Sequence, residues 1–199
     1  IRVILFGKGR DQNLSITHLP CICDAVGYKT WATVNGVTII ECLQCGIKRV
    51  EKVDKNAYES LYTSGQYHDS GSADLPHEIA GREPHVTRLE TDLEVASIRL
   101  DRLRKKYKNT GVLIDVGCAN GAFMLAAQSA GFQVNGVDLS KDAAHSDVEK
   151  AIRVGDIGNV GFQRRTIDVI TFNDSLEHFV DPIAALQSAQ GLLKMDGIL

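Results

Sequence analysis

At 199 residues the chain has room for one ordinary domain, or for a small module followed by most of one. Its 44% hydrophobic and 24% charged residues are those of a soluble globular protein. A formal net charge of −3 argues against a nucleic-acid-coating surface, and no apolar run approaches the ~20 residues of a membrane span.

Ile1–Phe6 is too short an apolar run, and too soon broken by Gly7-Lys8-Gly9-Arg10, to read as a signal peptide. No initiator Met opens the chain, so an N-terminal stretch is expected to be missing. Residues 1–50 are short apolar runs broken by glycines and by two close cysteine pairs, Cys21/Cys23 and Cys42/Cys45. Without a secretory signal, such pairs favour metal binding over disulfides, in a reducing, cytoplasmic compartment. Trp31–Val34 and Val37–Ile40 flank Asn35-Gly36, and Asn-Gly between β-branched runs is the strongest short hairpin signal. That hairpin carries the chain from one cysteine pair to the other.

Residues 51–85 read as a polar connector with at most one short helix, and they carry Tyr58, Tyr62, Tyr67 and His68. Over 86–108, Val86, Leu89, Leu93, Ala96, Leu100, Leu103 and Tyr107 recur at three-four spacing, which gives one apolar stripe on a helix. Arg102, Arg104, Lys105, Lys106 and Lys108 crowd its C-terminal end, where cations suit the helix dipole. Docking on the following domain is favoured over a coiled-coil seam.

From residue 111 the pattern alternates. Strands are predicted over 112–116, 133–138, 152–154 and 167–172, and helices over 122–130, 142–149 and 182–195. Gly131 supplies a helix stop and Pro182 a helix start. Asp196-Gly197 is expected to turn into a fifth strand at Ile198. Strands alternating with helices imply a parallel sheet with right-handed crossovers.

The first of these strands ends in a glycine turn that opens a helix, which is how backbones approach nucleotide-like ligands. The dinucleotide fingerprint needs glycines at 117, 119 and 122, but Ala119 and Ala122 stand there. The pattern is instead Asp115-x-Gly117-x-x-x-Gly121. An acid at that point is unwelcome beside a pyrophosphate but suits a ligand with an ammonium group and a sulfonium. Asp138, within Gly136-Val137-Asp138-Leu139-Ser140, ends the second strand, where a carboxylate can accept both ribose hydroxyls. Gly155-Asp156-Ile157 follows the third strand, in reach of an adenine amino group, and Asn173-Asp174-Ser175-Leu176-Glu177-His178 follows the fourth. Plainer roles compete: capping for Asp138, an ordinary turn for Asp156, and simple packing for Cys118.

These four anchors, in this order, resemble the class I S-adenosylmethionine-dependent methyltransferases. They are most similar to the branch with Asp/Glu-x-x-Glu-His-x-x-x-Pro after its fourth strand, here Asp174, Glu177, His178 and Pro182. The resemblance covers roughly residues 86–199. It implies an α/β, Rossmann-like sheet, of which this chain stops as the fifth of seven strands begins, preceded by a small Cys-rich β module. The implied division is 1–50 module, 51–85 connector and 86–199 cofactor domain. By the same resemblance Asp115, Gly117 and Gly121, with Cys118 beside them, hold the methionine end of S-adenosylmethionine. Asp138 and Leu139 serve the ribose, Asp156 and Ile157 the adenine, and Asn173 lines the methyl-transfer mouth.

Glu177 and His178 admit three roles. In the quinone-pathway O-methyltransferases the residues matching Asp174, Glu177 and His178 can hold a divalent cation such as Mg²⁺. His178 is alternatively a general base, or the pair forms a hydrogen-bonded helix start. The cysteines resemble one zinc knuckle, Cys42-x-x-Cys45-Gly46, and an irregular partner, Cys21-x-Cys23, which is one residue short; His18 is an alternative to Cys21. Four thiolates in tetrahedral array form a closed, structural Zn²⁺ site, against which stands a reading as unliganded buried thiols. Some methyltransferases acting on sugars or other small metabolites carry a similar ribbon and a tyrosine-rich connector. The expected partner is a small-molecule methyl acceptor, with no nucleic acid. A nicotinamide-dependent oxidoreductase and a non-catalytic zinc-module protein are the competing classes.

Overall fold

The computed structural model describes residues 16–17, 21–23, 25–54, 88–142 and 144–199. His18, the connector tyrosines, His68 and Val86 lie outside the described residues. Two compact units are present: one holds the cysteine module together with Ser175–Gln187, the other holds residues up to Asp174 and Ser188–Leu199.

In the first unit β1 (Ile16–Thr17) pairs antiparallel with β5 (Val53–Asp54). Strands β2 (Tyr28–Val34), β3 (Val37–Cys42) and β4 (Lys48–Val50) form an antiparallel sheet in that order. The expected hairpin is there, with Val34 opposite Val37 and with Asn35 and Gly36 at φ 49° and 79°. A two-residue turn of type I′ requires positive φ at both central positions, which is why Asn-Gly occurs here. Both strands outrun their predicted lengths, and this sets Tyr28 opposite Cys42 and Ile40 opposite Arg49. Tyr28, Ile40, Cys42 and Arg49 therefore share one face of the sheet, and Lys29, Glu41 and Lys48 the other. The second face is solvated, with Lys29 paired to Glu41 at 3.6 Å and Lys48 over the Trp31 ring.

The second unit begins with α1 (Leu89–Lys106) and continues through β6 (Val112–Val116), α2 (Ala122–Ser129), β7 (Gln133–Asp138), α3 (Ser146–Glu149) and β8 (Ile152–Val154). Strand β9 (Ile167–Thr171) follows, then in chain order α4 (Pro182–Leu192), whose residues from Ser188 belong to this unit, and β10 (Leu193–Ile198). The five strands are all parallel, in the order β10-β9-β6-β7-β8. Leu113, Ile114, Val169 and Ile170 are fully buried, as expected of strands covered on both faces. The stripe on α1 docks as predicted: Ala96 and Leu100 are buried in the core, and Leu89, Leu93, Leu103 and Tyr107 pack against it. No helix among the described residues is long and apolar enough to cross a membrane.

Two predicted helices are shorter than their sequence suggested. The one expected over 142–149 starts only at Ser146, because Ser140 Oγ takes the Asp142 N–H at 3.0 Å and His145 Nδ1 takes that of Asp147 at 3.3 Å. Such local side-chain acceptors compete with helix formation. The helix expected to reach Met195 gives way to strand at Leu193, which pairs with Ile167. Regular pairing resumes only at Ile198 opposite Val169, so the turn expected at Asp196-Gly197 is absorbed into a bulge.

The base of the sheet is tied by one carboxylate. Asp168 accepts from Val112 N at 2.8 Å, Lys194 Nζ at 2.8 Å and Tyr107 Oη at 3.3 Å. Burial alone would raise its pKa, but these donors hold it below the ordinary value.

Candidate functional site

The strand order reverses between β6 and β9, so their C-terminal ends open a crevice of the kind that holds ligands in doubly wound sheets. Asp115 and Thr171 are register partners at that point. Asp115 is 2% exposed, and its Oδ1 accepts from Thr171 Oγ1 at 2.7 Å and Asn173 Nδ2 at 3.0 Å. Burial pushes its pKa up to about 6, against the pull of those two hydrogen bonds and the charge of Arg99.

The glycine turn is built for close approach. Gly117 N–H bonds Val137 O at 2.7 Å, and Gly117, Ala119 and Gly121 all have positive φ. At Gly121 (φ +78°) a Cβ would stand 2.5 Å from Val148 Cγ2, so both backbone and space demand glycine. Gly136 is equally confined: a Cβ there would meet Cys118 Sγ and Met124 Sδ at 2.7 Å. That packing, with desolvation and the charges of Asp138 and Asp115, drives the Cys118 thiol well above its ordinary pKa. The thiol is inert filling beneath the turn.

Asp138 spans two loops. Its Oδ2 accepts from Ala119 N at 2.8 Å and its Oδ1 from Ser140 N at 3.2 Å, with Leu139 half-buried alongside. Asp156 is exposed after β8 and accepts from Gly158 N at 2.8 Å, the turn role weighed against adenine contact, while Ile157 beside it is buried. Glu177 and His178 lie exposed in a 3₁₀ turn, Leu176–His178, just beyond Asp174 in the chain.

Four residues here carried no role in the sequence reading. Asn120 is buried; its Nδ2 reaches Asp92 of α1 at 2.8 Å, its Oδ1 takes Ala122 N–H at 3.1 Å, and its carbonyl takes His145 N–H at 3.0 Å. Arg99 of α1 pairs with Asp174, whose φ is 51°. Asp92, Arg99 and Asn120 had no periodic signal, because contacts across sequence distance define them. Thr171 had one: a polar residue ending the apolar run Ile167–Thr171.

In the first unit the four cysteines converge. Their Sγ atoms lie within 4.8 Å of one another, with Cys21–Cys45 and Cys21–Cys23 at 3.4 Å and Cys23–Cys42 at 3.6 Å. Around a zinc–sulfur bond of about 2.3 Å, tetrahedral sulfurs stand about 3.8 Å apart, so this donor set fits the ion. Cys21 takes part despite the short spacing, because its N–H is held by Tyr28 Oη at 2.9 Å, itself tied to Ala25 O at 2.8 Å. The second pair forms a knuckle, with Gly46 N–H on Cys42 O at 3.0 Å and Gly46 at φ +71°. N–H groups of Cys45 and Gln44 aimed at the Cys42 thiol bring its pKa down to about 6, while burial takes Cys21 up to about 12. Arg49 is 4% exposed, lies over the Tyr28 ring at 4.7 Å, and leaves Nε and Nη1 unpartnered.

The second unit is thus a doubly wound α/β domain, with acids at the ends of its first two strands and a glycine turn between them. The family model described as a methyltransferase domain matches residues 89–199. The chain is 32% identical over 117 residues to the ubiquinone biosynthesis O-methyltransferase of Actinobacillus pleuropneumoniae serotype 7, covering 51% of this chain and 50% of that one. Against the protein of the same name from Haemophilus ducreyi it is 31% identical over 102 residues, 44% of this chain and 42% of that one. The chain therefore spans half or less of the length of these curated relatives. Among solved structures it is similar to phosphoethanolamine N-methyltransferase 2 of Haemonchus contortus, with TM-score 0.54, 19% identity, and 76% of this chain and 37% of that one covered. The chain belongs to the methyltransferase domain family, and its sheet has the class I fold.

Proposed function

We propose that this chain is the cofactor-binding part of an S-adenosylmethionine-dependent methyltransferase acting on a small molecule. The observation that carries the reading is Asp115, a buried carboxylate in the crevice whose hydrogen bonds both fall on Oδ1. Its Oδ2 remains for a cationic ligand group, where a pyrophosphate would be repelled. On this reading Asp115, Gly117 and Gly121 take the methionine end beside Cys118. Asp138, held rigid by two backbone N–H groups, accepts the ribose hydroxyls beside Leu139, and Asp156 with Ile157 borders the adenine.

When bound, the sulfonium supplies an electrophilic methyl group. The protein's work is to aim the acceptor along the methyl–sulfur axis and to take its proton. The acceptor atom would gain the bond to the methyl carbon as the carbon–sulfur bond breaks, leaving a neutral thioether. His178 is the proposed base, with Glu177 beside it and Asn173 at the mouth. The names of the two bacterial relatives favour a hydroxyl acceptor, with an activated carbon as the second choice. Asp174 is engaged by Arg99, which favours the base role of His178 over an Mg²⁺ site built with Glu177.

The four-sulfur geometry supports a structural Zn²⁺ at the thiol cluster, and the buried Arg49 would offset part of the net negative charge such a site carries. A cysteine module over 1–50, a connector over 51–85 and the cofactor domain from 86 complete the reading, in a reducing cytoplasm. Incubation with methyl-labelled S-adenosylmethionine and a panel of small phenols and sugars should yield a labelled product. Replacing His178 with Ala should cut turnover at least about a hundredfold without loss of cofactor binding. Cofactor binding with no product from any acceptor would favour the non-catalytic alternative.

A further inference from the structure

Both hydrogen bonds that orient Asp115 come from the end of β9, across the crevice from its own strand. Thr171 is the shorter of the two at 2.7 Å, and it also lies 3.5 Å from Ile114 O. It is therefore fixed against β6 while its hydroxyl proton goes to the carboxylate. The groups that act most on Asp115 are Thr171 at the end of β9, Asn173 just beyond it, the Arg99 cation from α1 and the Asp138 anion from β7. Among the described residues only Thr171 and Asn173 bind it directly, and Asn173 lies beyond the strand in the loop that leads to Asp174.

We propose that Thr171 is a positioning residue of the cofactor site: its hydroxyl locks the Asp115 carboxylate as an ionised acceptor whose free oxygen faces the crevice. This rests on the cofactor reading above and adds a second strand to it. A buried carboxylate stays charged only while donors stabilise that charge. Burial has already raised Asp115 to about 6, so little further loss is needed before it is neutral at physiological pH. A neutral carboxyl can no longer attract the ammonium of the methionine end. Cofactor affinity is then tuned by a residue that does not touch the cofactor.

The test is calorimetric titration of S-adenosylhomocysteine between pH 5 and 8 into the wild-type chain and its Thr171→Val and Thr171→Ser variants. Valine keeps the shape of threonine and removes the donor. Wild-type affinity should hold at neutral pH and fall as the pH drops through about 6. The valine variant should have its fall displaced upward by about one pH unit, so that it binds about twofold more weakly at pH 7 and close to tenfold more weakly at pH 5, since one unit of pKa is a factor of ten. Serine should restore both. A valine variant with weakened binding but an unmoved pH midpoint would reduce Thr171 to a packing role and overturn the proposal, as would unchanged affinity throughout. Absence of binding by the wild-type chain at every pH would instead refute the cofactor reading, and the proposal with it. Melting curves without ligand separate either result from a failure to fold.

Discussion

Asp115 sits where stability and function oppose each other. Its pKa of about 6, against an ordinary 3.8, means that the folded state holds the proton more tightly than the unfolded chain. The sign follows: Asp115 favours folding most below pH 3.8, and that contribution is lost as the pH rises through about 6. At neutral pH the buried charge costs about 3 kcal/mol, a strain functional sites commonly hold. Asp115→Asn keeps an oxygen for Thr171 and Asn173 and removes the charge. It should raise the melting temperature by a few degrees at pH 8, give no advantage at pH 4, and weaken cofactor binding. A lower melting temperature at pH 8 would show that the charge is better compensated than the geometry indicates. The acid itself was legible from Asp115-x-Gly117. Its two donors were not, because hydrogen bonds across 56 and 58 residues leave no local pattern.

The strand–turn–helix formed by β6, the glycine turn and α2 does the work of the second unit. Asn120 ties it to α1 through Asp92, and Gly121 lets it pass under Val148 of α3. Gly121→Ala combines a positive φ with a 2.5 Å clash, so it should destabilise the fold by about 1–3 kcal/mol and lower cofactor affinity together. Urea melts and calorimetry measure the two effects, and a fully stable variant would mean that Val148 yields. At this scale the sequence was most readable. The predicted spans matched β6 and β7 residue for residue, and β6 reads as a near-continuous apolar run because it is buried on both faces. The errors at α3 and α4 fell where Ser140, His145 and the Leu193 pairing compete with the helix, choices that propensity alone does not decide.

Across the whole molecule, two units of different chemistry lie in one chain: a parallel sheet with a ligand crevice and a small module organised by thiols. Among the module's described residues few apolar side chains are buried, Ile40, Cys21 and Cys42 among them, so a metal clamp is the expected source of its stability. Purified under reducing conditions, the chain should carry one zinc, and Cys42→Ser or strong chelation should unfold the module while the circular dichroism of the sheet persists. Full retention of the module's structure without metal would support unliganded thiols. Here the sequence showed the donors but not their closure. The short Cys21-x-Cys23 spacing is made workable by Tyr28, a residue with no metal-site signature of its own.

On the proposed function, the crevice between β6 and β9 holds S-adenosylmethionine. The most direct measurement is isothermal titration of S-adenosylhomocysteine into the chain at pH 7.5, with NAD as the comparison. One site per chain is expected for S-adenosylhomocysteine, lost on replacing Asp138 with Ala, with no heat from NAD. Saturable binding of NAD with none of S-adenosylhomocysteine would contradict it.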